Sequence, residues 1–333
     1  IVIVNQTPFY AESGGQVGDS GQMAGATVTD TKKALGKLWL HMVTGAIKQG
    51  DAVEMRVDGT RRAAIKANHS VTHLLHEALR QTLGEHVAQK GSLQDEGRTR
   101  FDISHNKAIT AEEIAKVEEI VNREIKAGTD VITRVMGLDE ARKTGAMALF
   151  GEKYEDEVRV VSMGTDGPGK RFSVELCGGT HVKNTSEIVK FKVVSEGALS
   201  AGIRRVEGLT GARVDAYEKQ KGEAQREALG KLADENQKLR DELKALGGNP
   251  EAAAAAESEA LVKDNKRLQK LISDLRLSNA SQSMGTGDDA RDVGGLKFLG
   301  KVLEGFPARD LKPMADDLKK KLGSGVIALT GWR

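Results

Sequence analysis

A chain of 333 residues with 39% hydrophobic and 29% charged residues has the composition of an ordinary soluble protein of two or three domains. Its 50 Lys+Arg against 48 Asp+Glu leave a formal charge of +2, so bulk charge does not announce a nucleic-acid partner and any such contact must rest on local patches. The single cysteine excludes an intramolecular disulfide and suits a reducing cytosol. Aromatics at 4% argue against a large base-stacking platform, and no apolar run approaches the ~20 residues of a membrane span.

Ile1-Val2-Ile3-Val4 reads as a strand, without the basic flank or length of a signal peptide. Opening without Met, the sequence is expected to begin inside a longer natural protein. Thr7-Pro8-Phe9-Tyr10 leads to the Gly-rich Ser13-Gly14-Gly15-Gln16-Val17-Gly18-Asp19, which lacks the Lys-Ser/Thr ending of a nucleotide P-loop. Val71, Leu74, Leu75, Ala78 and Leu79 at helical spacing predict a helix over about 67–83. Thr110-Ala111-Glu112-Glu113 has the form of a capping box, opening a helix that buries Ile114, Val117, Val121 and Ile125. Short strands are predicted at 131–135, 158–163, 172–176 and 188–194. Strands mixed with long helices indicate an α+β fold.

From about Val214 the pattern changes to a heptad seam of Leu229, Leu232, Asn236, Leu239, Leu243 and Leu246. Gly247-Gly248-Asn249-Pro250 interrupts it, and it resumes at Leu261, Asn265, Leu268, Ile272 and Leu275. Two seamed helices around a Gly/Pro turn predict an antiparallel helical hairpin. Asn236 and Asn265 take seam positions, where a polar residue commonly fixes register. Residues 278–292 read as a polar linker. A strand at 296–299, a helix over 309–322 and a strand at 326–329 form a βαβ-like piece ending at Trp332-Arg333. It is too small to stand alone, so the last domain is expected to be truncated.

Chemistry concentrates in two pairs. His69 and His73, four apart on a helix, project from one face and can share a metal. Cys177-Gly178-Gly179-Thr180-His181 sets a thiolate and a third imidazole on one Gly-rich loop, whose glycines let both point inward. Three nitrogens and one sulfur suit tetrahedral zinc. Each pair has a bland alternative, a solvated helix face for the histidines and a small buried hydrophobe in a turn for Cys177. His76 is expected on the apolar flank as a packed histidine. No Glu follows His69 in His69-Ser70-Val71-Thr72-His73, which disfavours a metalloprotease.

Three stretches together resemble the editing domain of the alanyl-tRNA synthetase family. They are 7–16 (Thr7-Pro8-Phe9-Tyr10-Ala11-Glu12-Ser13-Gly14-Gly15-Gln16), 69–76 (His69-Ser70-Val71-Thr72-His73-Leu74-Leu75-His76) and 177–181. Gln89-Lys90-Gly91-Ser92 and Arg100-Phe101-Asp102 are also similar, and the later helices and βαβ piece are similar to the arm and C-terminal domain of that family. The resemblance implies a C-terminal fragment in three parts. Residues 1–210 would be a zinc-containing editing domain with a mixed sheet or small barrel, 211–280 a coiled-coil-like hairpin, and 281–333 a linker with a truncated tRNA-binding or dimerisation domain. The family's class II aminoacylation domain is expected to be absent.

The resemblance further implies a cytoplasmic enzyme that hydrolyses serine or glycine from tRNA(Ala), within a parent that attaches alanine with ATP. It gives Zn2+ as cofactor, Thr7 and Gln89 as the polar wall of the pocket, and a homodimer through the C-terminal region. A pocket for alanine cannot strongly reject glycine or serine, since a methyl is worth only ~1–3 kcal/mol. Whether zinc acts in catalysis or only shapes the site is open, because four protein ligands usually mark a structural ion. The rivals are a free-standing trans-editing deacylase and a tRNA-binding or dimerisation module with a structural zinc. Arg204-Arg205 and Lys319-Lys320-Lys321 are candidate phosphate contacts, the lysines being better explained as a helix C-terminus that complements its dipole.

Overall fold

The computed structural model describes residues 1–147, 156–167, 169–251, 256–283, 290–304 and 308–332. The chain divides into two units, Ile1–Glu218 and Lys219–Arg333. The first opens with β1 (Gly21–Met23), β2 (Ala26–Ala34), β3 (Leu38–Thr44) and β4 (Met55–Val57), an antiparallel sheet in the order β3-β2-β1-β4. Phe9, Met23 and Val28 form its small core. The expected strand at residues 1–4 shrinks to one bridge, Val2 to His41.

Helix α1 (Gly59–Leu83) begins eight residues before its apolar periodicity, since its first turn is polar and is fixed by a cap. Asp58 accepts from the Arg61 N–H at 3.0 Å. Every residue from Ala67 to His76 is buried, so this helix is enclosed on all sides. β5 (Gln89–Gln94) and β6 (Thr99–Ser104) follow, then α2 (Ala111–Ala127). The capping box forms as predicted: the Glu113 N–H donates to Thr110 Oγ1 at 3.2 Å, and the Thr110 N–H donates to Glu113 Oε2 at 2.8 Å. Gly128, in the left-handed region with φ 63°, ends the helix.

β7 (Ile132–Gly137), α3 (Leu138–Lys143), β8 (Glu157–Met163) and β9 (Ser173–Leu176) make a three-stranded antiparallel sheet, β7-β8-β9, with α3 on it. The period-2 alternation of β8 serves two cores. Val158 and Val160 face a cluster with Ala141 and Leu176, while Val161 and Met163 face the main core. The strand expected from 188 starts later, because Asn184 caps a 3-10 turn at Thr185–Ile188. β10 (Phe191–Ser200) and β11 (Ile203–Thr210) complete a second four-stranded sheet, β10-β11-β6-β5. Val71, Leu74 and Leu75 of α1, Val117 and Val121 of α2, and Phe101 and Ile103 of β6 meet in the main core. The fold is α+β, with open sheets and no closed barrel among the described residues.

The second unit corrects one expectation. α4 (Ala212–Ala245), which crosses the boundary between the units, and α5 (Ser258–Ser283) pair through Leu239, Leu243, Leu246, Leu268, Ile272 and Leu275, but side by side in the same direction. Asn265 Nδ2 donates to the Leu232 carbonyl, Gln269 Nε2 to Glu235 Oε1, and Asn279 Nδ2 to the Leu246 carbonyl. The partner advances as the residue number advances, which an antiparallel pair forbids. The chain doubles back before α5 begins: Glu251 already lies beside Arg240, whose Nη1 donates to its carbonyl at 2.7 Å.

β12 (Arg291–Val293), β13 (Leu296–Glu304), α6 (Ala308–Leu322) and β14 (Val326–Trp332) close the chain. β12 pairs antiparallel and β14 parallel to β13, the βαβ arrangement expected. Met314 and Leu318 of α6 cover Leu299, joined by Leu277 from α5. Of the predicted linker, residues 278–283 belong to α5, residues 284–289 lie outside the described residues, and β12 starts at Arg291. Arg333 also lies outside them. Among the described residues no helix is long and apolar enough to cross a membrane.

Candidate metal centre

His69 and His73 sit one turn apart on enclosed α1, their rings stacked with centroids 5.4 Å apart. The loop after β9 brings His181 to 4.6 Å from the His69 ring and 5.1 Å from the His73 ring, centroid to centroid. Cys177 Sγ lies 3.5 Å from His69 Nε2 and 3.3 Å from His181 Nε2. One donor atom from each of the four residues falls within 4.8 Å of the others. Donors bound at ~2.0–2.3 Å in a tetrahedral shell lie roughly 3.3–3.8 Å apart, so the group is of a size to close on one ion. His73 Nε2 is buried with no hydrogen-bond partner, a polar atom that a metal would satisfy. All four predicted ligands are therefore brought together.

The far ring nitrogens are held by groups that the sequence did not single out. His69 Nδ1 donates to Gln16 Oε1 at 2.8 Å and His73 Nδ1 to Glu175 Oε2 at 2.9 Å, while His181 Nδ1 shares a hydrogen bond of 3.2 Å with the Ser70 hydroxyl. Such partners fix the tautomer that presents Nε2 to a metal. Gln16 also receives the Thr180 N–H at 2.9 Å, and Ser70 Oγ receives the Val182 N–H at 3.1 Å. The same two side chains thus pin the Cys177–His181 loop to α1. Gly179 is required at its place, because a Cβ there would overlap the His69 ring.

Electrostatics prepare the donors. Burial works against a Cys177 thiolate, but His69 and His73 outweigh it and hold the thiol well below its ordinary value. Burial, with His69 beside it, lowers His181 to about 3. Burial also opposes a charge on His73, yet Glu175 and Cys177 carry it up to about 10. Burial would raise Glu175, and the charge of His73 reverses this and keeps its carboxylate ionised. The result is a thiolate and a bare imidazole, with one proton on His73 to be released when a metal binds.

His69, His73, Glu175 and Cys177 border a cavity of about 380 Å³ that Gln89, Ser92, Gln94, Thr72, Tyr10 and Arg159 also line. Gln89, a predicted wall residue, is in place, with its Nε2 donating to Ser92 Oγ at 3.3 Å. Thr7 instead lines a neighbouring cavity, its hydroxyl 2.8 Å from His41 Nε2 and accepting the Phe9 N–H at 3.1 Å. His76 is more than packing: besides its edge contact with Phe101, it reaches Glu175 Oε1 with Nδ1 at 3.2 Å.

Arg204 and Arg205 are not free cations. Arg204 pairs with Glu196 across the β10–β11 register, and Arg205 forms two bonds to Asp102 of β6, at 2.7 and 2.9 Å. Each spends its charge within the sheet. The lysines at 319–321 fall in the last turn of α6.

Residues 158–207 match the family model described as "Threonyl and Alanyl tRNA synthetase second additional domain", a stretch that contains Cys177 and His181. Residues 1–61 match that described as "tRNA synthetases class II (A)", although the sequence reading gave this stretch to the editing domain and expected no class II part. Over 99% of its residues the chain is 49% identical to an alanine-tRNA ligase of Rhizobium meliloti (strain 1021). It is 46% identical to those of Sinorhizobium medicae (strain WSM419) and Bradyrhizobium diazoefficiens over the same share. The chain spans 37% of the length of each of these curated relatives.

Proposed function

The chain is a homologue of the alanine-tRNA ligases along 99% of its length, and from that premise we propose that it hydrolyses the ester joining serine or glycine to tRNA(Ala). The observation that carries this reading is the four-donor group His69, His73, Cys177 and His181, of which His69, His73 and Cys177 line a cavity of about 380 Å³ with polar walls. A zinc ion bound there would supply positive charge to polarise the ester carbonyl or a water. The protein's own part is positional. Gln16, Glu175 and Ser70 lock the three imidazoles, and the walls enclose the aminoacyl group. Gln89, already in the cavity, is the group proposed to meet the serine hydroxyl. Thr7 is not assigned this task, since its hydroxyl is committed beside His41. A wall that bonds the hydroxyl spares alanine, which would leave the polar partner unpaired.

One observation favours a second reading. Four protein donors complete a tetrahedral shell, the usual coordination of a structural ion, and would suit a tRNA-binding module. The chain is to be incubated with Ser-tRNA(Ala) and Ala-tRNA(Ala). Selective release of serine is expected, and Cys177→Ala should lose bound metal and this release together. Tight tRNA binding without release of serine would favour the module. A variant that lost its metal yet still deacylated would show that the ion is not catalytic.

A further inference from the structure

Six buried side-chain atoms of the described residues have no hydrogen-bond partner, and three of them, His73 Nε2, His76 Nε2 and Gln94 Oε1, belong to residues lining the metal cavity. His73 Nε2 is a metal donor. The other two remain, on side chains that are almost wholly buried. Burying an acceptor unmet is costly, so their grouping around one cavity calls for a ligand.

The surroundings decide what they offer. His76 Nδ1 faces Glu175 Oε1 at 3.2 Å, and an acceptor-only carboxylate puts the ring proton on that nitrogen. Nε2 is then a bare lone pair. Gln94 Nε2 donates to Thr72 Oγ1 at 3.4 Å, which leaves the amide oxygen as its outstanding end. The strand fixes its backbone as well: the Gln94 N–H donates to the Gly15 carbonyl at 2.8 Å, and its own carbonyl receives the Val17 N–H at 3.1 Å. Both remaining atoms are therefore acceptors.

We infer that His76 Nε2 and Gln94 Oε1 together seat a donor-only cation, the protonated α-amino group of the aminoacyl ester. A serine hydroxyl brings one proton and would leave one acceptor unmet; an ammonium brings three donors. The inference rests on the hydrolytic reading above and deepens it. Serine, glycine and alanine all carry this group, so the seat would fix where the ester lies relative to the metal donors and leave side-chain selection to the rest of the wall.

The test compares Ser-tRNA(Ala) with the same tRNA bearing 3-hydroxypropionate, which lacks only the amino group. The 333-residue chain is expected to prefer the seryl ester in kcat/KM by about tenfold to a hundredfold, the worth of a hydrogen bond to a charged group. Gln94→Leu and His76→Leu should shrink that preference to a few-fold, chiefly through KM, with metal content and melting temperature retained. His76→Asn, which restores an acceptor, should recover part of it. If serine is still released but neither variant changes the preference, the inference is overturned while the hydrolytic reading stands. If the unaltered chain hydrolyses neither ester, that reading falls instead. Binding of amide-linked, non-hydrolysable analogues of the two substrates then decides the seat, equal affinities overturning it.

Discussion

The metal cavity of the first unit and the polar layer between α4 and α5 bury similar groups and treat them oppositely. Between the helices, Asn236 Nδ2 donates to Asn265 Oδ1 at 2.7 Å and to Asp264 Oδ2 at 2.9 Å. Arg240 Nε donates to Asn236 Oδ1 at 2.7 Å, and its guanidinium pairs with Asp264. That layer is closed on itself and works as a register pin within a leucine seam. Around the cavity, amides, imidazoles and a thiolate are just as deeply placed, yet His73, His76 and Gln94 each keep an atom without a partner. Architecture spends its buried polar groups on one another, whereas a binding site holds some in reserve for a visitor.

The largest effect expected from that contrast is at Gly179. Gly179→Ala should push His69 aside and weaken metal binding by roughly a hundredfold or more, beyond the ~10–100-fold typical of losing an outer-shell partner. Competition against a chelator of known affinity reads this directly, and wild-type affinity in the variant would sink the four-donor geometry. Next comes a pair of opposite sign. Asp264→Ala removes the buried carboxylate that pairs with both Arg240 and Arg267 and should cost roughly 2–4 kcal/mol in urea unfolding. Gln94→Leu removes an unmet acceptor and should stay within about 1 kcal/mol of the unaltered chain or gain on it. If the two variants were equally destabilised, the contrast would fail. The smallest effect is in pH. Burial would raise the Asp264 carboxyl, but hydrogen bonds from Asn236, Arg267 and Arg240 outweigh it and hold it below its ordinary 3.8. The unfolded carboxyl then takes its proton first, so this stabilisation is complete above about pH 4 and is lost as pH falls further. Melting scans from pH 6 to pH 3 should show this loss, and Asp264→Asn should flatten it.

Much of this was legible in the sequence. His69 and His73 were readable because four residues bring side chains onto one helix face, and Cys177 and His181 because one short glycine turn holds both. The capping box at Thr110 and the seam asparagines were likewise local patterns. What stayed hidden depends on pairings across long stretches. Gln16, 53 residues before His69, supports that ring only because the glycine loop docks against β5. Glu175 and Ser70 are ordinary residues until β9 and α1 approach. Arg204 and Arg205 read as a cationic patch until strand register sets Asp102 opposite Arg205 and brings Glu196, two positions along β10 from the residue opposite Arg204, into ion-pair reach of it. The heptads revealed a seam but not its sense, because hydrophobic spacing is the same whichever way the partner runs.

Gln16 has two lives. Its side chain braces His69 and Thr180, while its backbone bridges Gln94 on β5, the outermost strand of its sheet. Stripping an ion bound there would slacken the brace and with it the segment bridged to that strand. A bared strand flank is a template on which another molecule can build. Chelation is therefore expected to turn a dispersed protein into a self-adhering one, with turbidity rising as metal leaves.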